Sequence, residues 1–289
     1  MTRALVLSGG GPQGVAWESG LIAGFAQGGV DLGQADHILG TSAGAVVGAR
    51  LACGVEAARL ADALLAPGAD RPAQDDPAPS MADLARMMEL MTEAQSGTRH
   101  PAEVRRELGA LALAAATVGE GEFMQRIGRA LGEAPRHGWP ARDFACTAAD
   151  AEDGGFQIWD AGSGVDLLPA VASSCAVPGL FPPVRLQGRP YMDGGARSAS
   201  NADLAAGHEV VVVVSVQPPG APPWLAKRLD EEVESLKAGD AVVVVITPDE
   251  AAGAAFGGDL MDMQRDARVA RAGLVQGLSQ APILKEIWG

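Results

Sequence analysis

The chain has 289 residues, of which 47% are hydrophobic and 38 are glycines, a composition typical of a globular protein with many tight turns. Its formal net charge of −14 and its pI near 4.7 exclude a nucleic-acid surface, which needs clustered positive charge, and limit contact with an anionic membrane to a transient one. The length allows one large α/β domain or two small ones.

Three widely spaced cysteines, Cys53, Cys146 and Cys175, include no Cys-x-x-Cys pair. They predict reduced, buried side chains, and neither a disulfide framework nor a zinc site. The apolar run at the N-terminus is too short for a secretory signal, and no apolar run is long enough to span a bilayer. From these features we expect a cytoplasmic protein without a bound metal.

The first motif is a glycine loop between a predicted strand at 4–8 and a predicted helix at 15–27. Residues 9–14 match Gly-x-Gly-x-x-Gly, which can bind a dinucleotide if an acidic residue closes a second strand about 20 positions later. Asp36 precedes the strand at 37–39 instead of closing it, which disfavours that interpretation. The alternative is that consecutive N–H groups before a helix N-terminus hold an oxyanion.

The second motif is Gly40-Thr41-Ser42-Ala43-Gly44, which follows the strand at 37–39 and precedes a predicted helix at 45–65. This strand-turn-helix context favours a sharp elbow that exposes the serine. Gly40 and Gly44 lack Cβ atoms, so the strand and the helix can approach closely around the elbow. Ser42 is therefore the candidate nucleophile.

Between about 66 and 140 the composition changes, with Pro/Asp-rich linker at 68–72 and 75–80 followed by helical patterns. In the first helix Leu84, Met87, Met88 and Met91 form one apolar stripe, which either packs on the core or covers a site for variable acyl chains. Further helices are predicted at 104–118 and 122–131. We interpret the whole segment as a helical insertion that could cap the site.

The second half predicts strands at 144–148 and 156–159, a helix at 166–175 and an extended segment at 180–184. Asp193 stands directly before Gly194 and Gly195, in a tight turn that can fix its carboxylate. Valine-rich strands at 210–216 and 241–246 flank a helix at 225–237, and a closing helix spans 261–278. Their continuous valine content predicts strands covered on both faces, as in a parallel α/β sheet. The acidic run 230–232 predicts a solvated helix face.

Together, the glycine loop at 9–14, the elbow at 40–44, the segment 172–184 and Asp193-Gly194-Gly195 resemble the patatin-like phospholipases. The resemblance implies a three-layer α/β/α sandwich with a mainly parallel sheet, one domain over 1–289 with the insertion at about 66–140, and hydrolysis of lipid or other acyl esters without a cofactor. It implies a dyad of Ser42 as nucleophile and Asp193 as base. The implied oxyanion donors are Gly9, Gly10, Gly11 and Ala43. The implied motif supports are Gly14, Gly40, Gly44, Gly194 and Gly195.

One residue departs from the family pattern, because Gln13 stands where the family usually has Arg or Lys. A neutral amide donates hydrogen bonds but brings no full charge. The departure bears either on the stability of the glycine loop or on a preference for anionic substrates.

Three alternatives to a dyad hydrolase remain open at the level of sequence. A Ser-Asp-His triad would use His208, the one histidine after Asp193, although a histidine just before a strand favours a surface position. An acyltransferase would pass the acyl group to an alcohol, but such enzymes commonly have His where Thr41 stands. A non-catalytic lipid-binding relative would keep the fold without the chemistry.

Overall fold

The structure is a computed structural model that describes residues 1–66, 80–96, 99–134, 137–217, 220–257 and 260–289. The predicted linker at 68–72 and 75–79 lies outside the described residues. Helices cover both faces of one central sheet, so the predicted three-layer α/β/α architecture is confirmed. No helix in the described ranges combines the length and the apolar character that crossing a membrane requires.

The sheet is mixed, with a parallel centre. The strands of the described residues are β1 (Arg3–Leu7), β2 (His37–Gly40), β3 (Phe144–Asp150), β4 (Phe156–Trp159), β5 (Val184–Leu186), β6 (Arg189–Asp193), β7 (Val210–Val214) and β8 (Val242–Ile246). Their order is β5-β6-β3-β2-β1-β7-β8, with β4 paired to β3. Strands β3, β2, β1, β7 and β8 pair in parallel, whereas β4, β5 and β6 are antiparallel additions.

Strand β3 brings together the loop after β2 and the loop after β6, because both of these strands pair with the same edge of β3. β4 pairs with residues 146–149, so β2 and β6 must lie along the other edge, β2 opposite 144–146 and β6 opposite 148–150. β2 runs parallel to β3 and β6 runs antiparallel. Their carboxyl ends, Gly40 and Asp193, therefore meet on either side of Thr147. The turns after the two strands lie side by side although they are far apart in the chain.

The predicted helices of the described residues begin and end close to the predicted positions, with two exceptions. The helices of the described residues are α1 (Gly11–Gln27), α2 (Ala43–Ala52), α3 (Asp62–Leu65), α4 (Met81–Ser96), α5 (Pro101–Ala114), α6 (Glu120–Leu131), α7 (Leu167–Ser174), α8 (Pro223–Lys237), α9 (Glu250–Ala255) and α10 (Asp266–Trp288). One exception is the closing helix predicted at 261–278, which spans Asp266–Trp288. The other is the helix predicted at 45–65, which ends at Ala52. Gly54 adopts a left-handed conformation with φ +92°, which a helix cannot continue through.

Alternate residues of the sheet face opposite layers. Leu5, Leu7 and Val212 pack on the first face, under α1, α2, α7 and α10. Val6 and Val213 pack on the second face, under α8. The prediction that both valine strands are covered on both faces holds for β7 and is wrong for β8. β8 is an edge strand in which Val242 is 51% and Val245 40% exposed.

The helical insertion divides between the two faces. Leu90 of α4 and Leu108 of α5 join Ala149 and Met192 in one cluster, and α4 also contacts α8 on the second face. Helix α6 packs instead against α2 and α7 on the first face. In the methionine stripe, Met87 and Met91 pack against this cluster, so these two residues pack on the core and do not cover a site.

Helices α1 and α10 form the most extensive contact between two elements of the described chain, and glycines make it possible. A Cβ atom at Gly20 would overlap the carbonyl oxygen of Ala270, and one at Gly24 would overlap that of Leu274. From the other side, a Cβ atom at Gly277 would overlap the carbonyl oxygen of Leu21. We call this contact the α1–α10 pair. Its backbones touch because no side chain separates them.

Candidate active site

Ser42 lies at the elbow between β2 and α2, in a strained backbone conformation. Its φ of 54° and ψ of −114° are uncommon for a residue with a side chain. The surroundings impose this conformation, because a Cβ atom at Gly40 would overlap Ala45 and one at Gly44 would overlap Leu7 O. Ser42 N donates to Ser174 Oγ at 2.9 Å. The elbow therefore presents a side chain that is 7% exposed, at the wall of a cavity.

Asp193 ends β6 beside the elbow and is 4% exposed. Its Oδ1 accepts from Gly195 N at 2.7 Å, whereas its Oδ2 is buried and has no hydrogen-bond partner in the described residues. Burial raises the pKa of Asp193 to about 7, against the opposing effects of Gly195 N–H and of the Ser42 hydroxyl, which both lower it. A carboxyl group that ionises near neutral pH and interacts with a serine hydroxyl is suited to accept its proton.

The glycine loop lies against the elbow, since a Cβ atom at Gly9 would stand 3.3 Å from Ser42 Cβ and one at Gly14 would stand 3.2 Å from Ala43 Cβ. The expectation that Gly9 donates to an oxyanion is corrected here, because Gly9 N already donates to Ala199 O at 2.8 Å. The N–H groups of Gly10, Gly11 and Ala43 donate to nothing within the described chain. Gly11 begins α1 and Ala43 begins α2, so two helix N-termini meet beside Ser42.

Gln13 is fully buried and turns toward the C-terminal part of the chain. Its Oε1 accepts from Gly257 N at 2.9 Å, and its Nε2 donates to Asp262 O at 3.1 Å. The backbone N–H of Gln13 also donates to Leu260 O at 3.2 Å. The residue that departs from the family pattern thus connects the glycine loop to the segment before α10.

A cavity of about 670 Å³ opens at Ser42. Its apolar wall includes Val15, Val46, Leu60, Leu64, Phe123, Ile127, Val177, Phe181, Met261 and Met263. The stacked rings of Phe123 and Phe181, with centroids 4.7 Å apart, join α6 to the segment after α7. Of the described part of the insertion, α6 lines this cavity, whereas α4 and α5 do not.

Beneath the two loops lies a buried polar group that the sequence analysis missed, formed by Thr41, Thr147, Gly194 and Asn201, which we call the interloop cluster. Thr41 Oγ1 and Thr147 Oγ1 are 2.8 Å apart, and a Cβ atom at Gly194 would overlap Thr147 Oγ1. Asn201 Nδ2 is 3.1 Å from Thr41 Oγ1 and 3.3 Å from Gly194 O. Asn201 could not be predicted, because it stands in no recognised motif and at no characteristic distance from Ser42 or Asp193 in the sequence.

The prediction of a solvated acidic face at 230–232 is wrong for Glu232, which is buried on α8. Its Oε2 accepts from Ser200 Oγ at 2.6 Å and from Ala202 N at 2.9 Å, and its Oε1 accepts from Arg228 Nε at 3.0 Å. Glu232 therefore holds the segment that carries Asn201. The acidic run in the sequence did not indicate that Glu232 is buried, because its carboxylate accepts hydrogen bonds from a loop about 30 residues away in the chain.

The histidines of the described chain stand away from the cavity. His37 and His208 stack with ring centroids 5.4 Å apart at the amino ends of β2 and β7, whereas Ser42 follows the carboxyl end of β2. His208 Nδ1 lies 3.0 Å from Ala205 O. The structure therefore does not bring His208 to Ser42 and Asp193. The described residues contain no group of three or more His, Cys, Asp or Glu side chains placed to hold a metal.

Comparison with known proteins gives one family and several distant structures. The family model for patatin-like phospholipase matches residues 5–206. No curated protein is significantly similar in sequence. The structure of VipD from Legionella pneumophila has 15% identity and a TM-score of 0.47, covering 98% of this chain and 67% of VipD. The type III effector protein ExoU has 17% identity and a TM-score of 0.42, covering 98% of this chain and 53% of ExoU. This chain thus spans about half the length of ExoU.

Proposed function

The chain belongs to the patatin-like phospholipase family, and we propose that it is a serine acyl-ester hydrolase with Ser42 as the nucleophile and Asp193 as the general base. The family implies lipid acyl hydrolysis. The observation that carries the residue assignment is the position of a strained elbow serine and a buried carboxyl group at neighbouring strand ends on β3, together with the pKa of about 7 and an Oδ2 atom that has no hydrogen-bond partner in the described residues.

In the acylation step, Asp193 Oδ2 takes the hydroxyl proton while Ser42 Oγ bonds to the ester carbonyl carbon. The carbonyl oxygen becomes an oxyanion, for which Gly10, Gly11 and Ala43 supply N–H donors at two helix N-termini. Each such donor contributes about 3 kcal/mol to transition-state stabilisation. Collapse of the intermediate breaks the bond to the alcohol, which leaves with the proton from Asp193.

In the deacylation step, Asp193 takes a proton from water as the water oxygen attacks the acyl-enzyme carbonyl. The second tetrahedral intermediate collapses by breaking its bond to Ser42 Oγ, which recovers its proton from Asp193. The carboxylic acid is released and the enzyme returns to its starting state. The ester and water supply every atom of the two products, and Ser42 and Asp193 are regenerated.

The acyl chain of the substrate fits the apolar cavity, whose volume of about 670 Å³ is that of a small-molecule site. The cavity walls come from α1, α2, residues 60–64, α6, the segment after α7 and the segment before α10. Among the described helices of the insertion we assign the role of cap to α6, because α4 and α5 pack on the second face of the sheet.

The assignment is tested by hydrolysis of p-nitrophenyl esters of increasing acyl length. We expect Ser42→Ala and Asp193→Asn each to reduce kcat by about 10⁴-fold or more, because each removes a member of a unit that acts together. Ser19→Ala removes another buried serine hydroxyl, and Asp150→Asn neutralises a buried carboxylate that pairs with Arg189, so both serve as matched controls.

Retention of full activity in Ser42→Ala would refute the assignment. An ester product formed in the presence of an alcohol would show acyl transfer. Absence of labelling by a fluorophosphonate, which reacts with activated serines, would instead support a lipid-binding relative without catalysis.

A further inference from the structure

Asn201 lies eight positions after Asp193, in a loop that returns beneath the site. The residue is fully buried and adopts a left-handed conformation, with φ 50° and ψ 33°. Asparagine tolerates this conformation better than most residues with a side chain. Its side chain points between the Ser42 loop and the Asp193 loop.

The amide of Asn201 contacts both loops at once. Nδ2 lies 2.7 Å from Ser198 O, 3.1 Å from Thr41 Oγ1, 3.3 Å from Gly194 O and 3.4 Å from Thr147 Oγ1. Thr41 precedes Ser42 in the chain, and Gly194 follows Asp193. One NH₂ group therefore bridges the backbone segments on which both members of the dyad stand.

The orientation of this amide is determined by its other end. Oδ1 of Asn201 accepts from Arg197 Nη1 at 2.8 Å, and a guanidinium can only donate. Arg197 in turn forms an ion pair with Asp203. The two hydrogens of Nδ2 therefore point away from Arg197, and the two nearest acceptors are Ser198 O, in the segment after Asp193, and Thr41 Oγ1, beside Ser42.

We propose that Asn201 is a positioning residue that fixes the distance between Ser42 and Asp193. The inference rests on the proposed function, because it concerns the same dyad. A residue in this role must donate two hydrogen bonds, adopt the left-handed conformation and lie between the two loops. Asn201 meets all three conditions. Asn201 itself touches neither the substrate cavity nor the reacting atoms, so it acts through Thr41 and Gly194.

The test compares two variants that each remove a buried bridging amide. Asn201→Gly keeps the left-handed backbone without strain and deletes the bridge between the loops. Gln276→Ala removes an amide that bonds Trp17 Nε1 and Thr247 O, away from both loops. Both variants lose stability, which urea unfolding measures. For Asn201→Gly alone we expect kcat for a p-nitrophenyl ester to fall about 100-fold with KM within about twofold, because a small misplacement of reacting groups has this cost.

A second measurement separates positioning from a merely structural role. The Ser42 hydroxyl lowers the pKa of Asp193, so loss of their alignment removes this effect. The acid limb of the pH profile of kcat/KM, set by the base, therefore moves to higher pH in Asn201→Gly and stays in place in Gln276→Ala. Thr147→Val removes a hydroxyl of the interloop cluster with little change in shape, and its expected shift has the same direction and a smaller size. This variant decides the question if Asn201→Gly does not fold.

The wild type and Ser42→Ala are measured in the same series. Activity that depends on Ser42 but is unchanged, in kcat and in pH profile, by the folded Asn201 and Thr147 variants would overturn this inference and leave the proposed function intact. If the wild type showed no activity, or activity that Ser42→Ala did not reduce, both the proposed function and this inference would be overturned.

Discussion

Two regions hold the proposed catalytic groups in place, and they do so by opposite means. The interloop cluster connects the loops of Ser42 and Asp193 through hydrogen bonds among buried polar atoms. The α1–α10 pair positions the glycine loop by bringing two backbones into contact where no side chain intervenes. Hydrogen bonds fix direction and can be removed with little change in shape, whereas a backbone contact fails as soon as one methyl group is added. Substitutions in the first region should therefore act mainly on catalysis, and those in the second mainly on stability.

The largest change in the free energy of unfolding that we expect comes from Asp193→Asn. It measures how much the burial of this carboxyl group costs in stability. Asp193 has a pKa of about 7 when folded and about 3.9 when unfolded, so the folded state holds an extra proton between these values. Stability from this group is fully present below about pH 4 and is lost as the pH rises through 7. Relative to wild type, Asp193→Asn should gain about 4 kcal/mol in free energy of unfolding at pH 8 and less than about half of that at pH 5.

Urea unfolding of both proteins at the two pH values measures this gain. Burial also raises the pKa of Glu18, but Glu18 is present in both proteins, so its contribution cancels in the difference. A gain that is equal at pH 5 and pH 8 would show that Asp193 is not titrating near neutral pH.

The next effect concerns the α1–α10 pair. Gly24→Ala places a methyl group on the backbone of α10, so we expect a loss of about 3 kcal/mol, the upper end of the usual cost of overpacking. Gly121→Ala, in α6, is the matched control, because a Cβ atom there meets nothing within 4 Å. It should gain up to about 1 kcal/mol from helix propensity. If urea unfolding gave both variants the same stability, backbone contact would not be what constrains the pair.

The smallest effect lies between the two regions, at Gln13. Gln13→Ala leaves the N–H of Gly257 and the carbonyl of Asp262 without these partners, at a cost of about 2 kcal/mol. Because Met261 and Met263 line the cavity, we also expect KM to rise more for long acyl esters than for short ones. Gln157→Ala, at a surface strand, serves as the control. An equal change in KM at every chain length would argue against a link between Gln13 and the cavity wall.

The sequence was sufficient to predict the parts of the site that local pattern determines. Ser42 was predicted from Gly40 and Gly44, whose spacing forces the elbow, and Asp193 from the glycines that follow it. Both signals lie within five residues of the group they position. The family match at 5–206 confirms the resemblance that these motifs carry, and the layered fold agrees with it.

The parts that could not be predicted depend on contacts between distant residues. Asn201 reaches Thr41 across 160 positions, and Gly9 loses its free N–H to the carbonyl of Ala199. No local pattern contains either partner. The i, i+4 spacing of Gly20 and Gly24 was visible, but it did not reveal that α10 is the helix packed against them. The overlong second helix was a different kind of error, because Gly54 was a readable stop signal.

The α1–α10 pair and the bonds of Gln13 also set the order in which the site is completed during synthesis. The backbone contacts of Gly40 and Gly44 at the elbow are with Ala45 and Leu7, which the ribosome delivers early. The glycine loop beside it takes its final place only when the segment at 257–262 and α10 have been made, because they fix the position of α1. A nascent chain therefore carries Ser42 long before it carries a fixed set of N–H donors beside this residue.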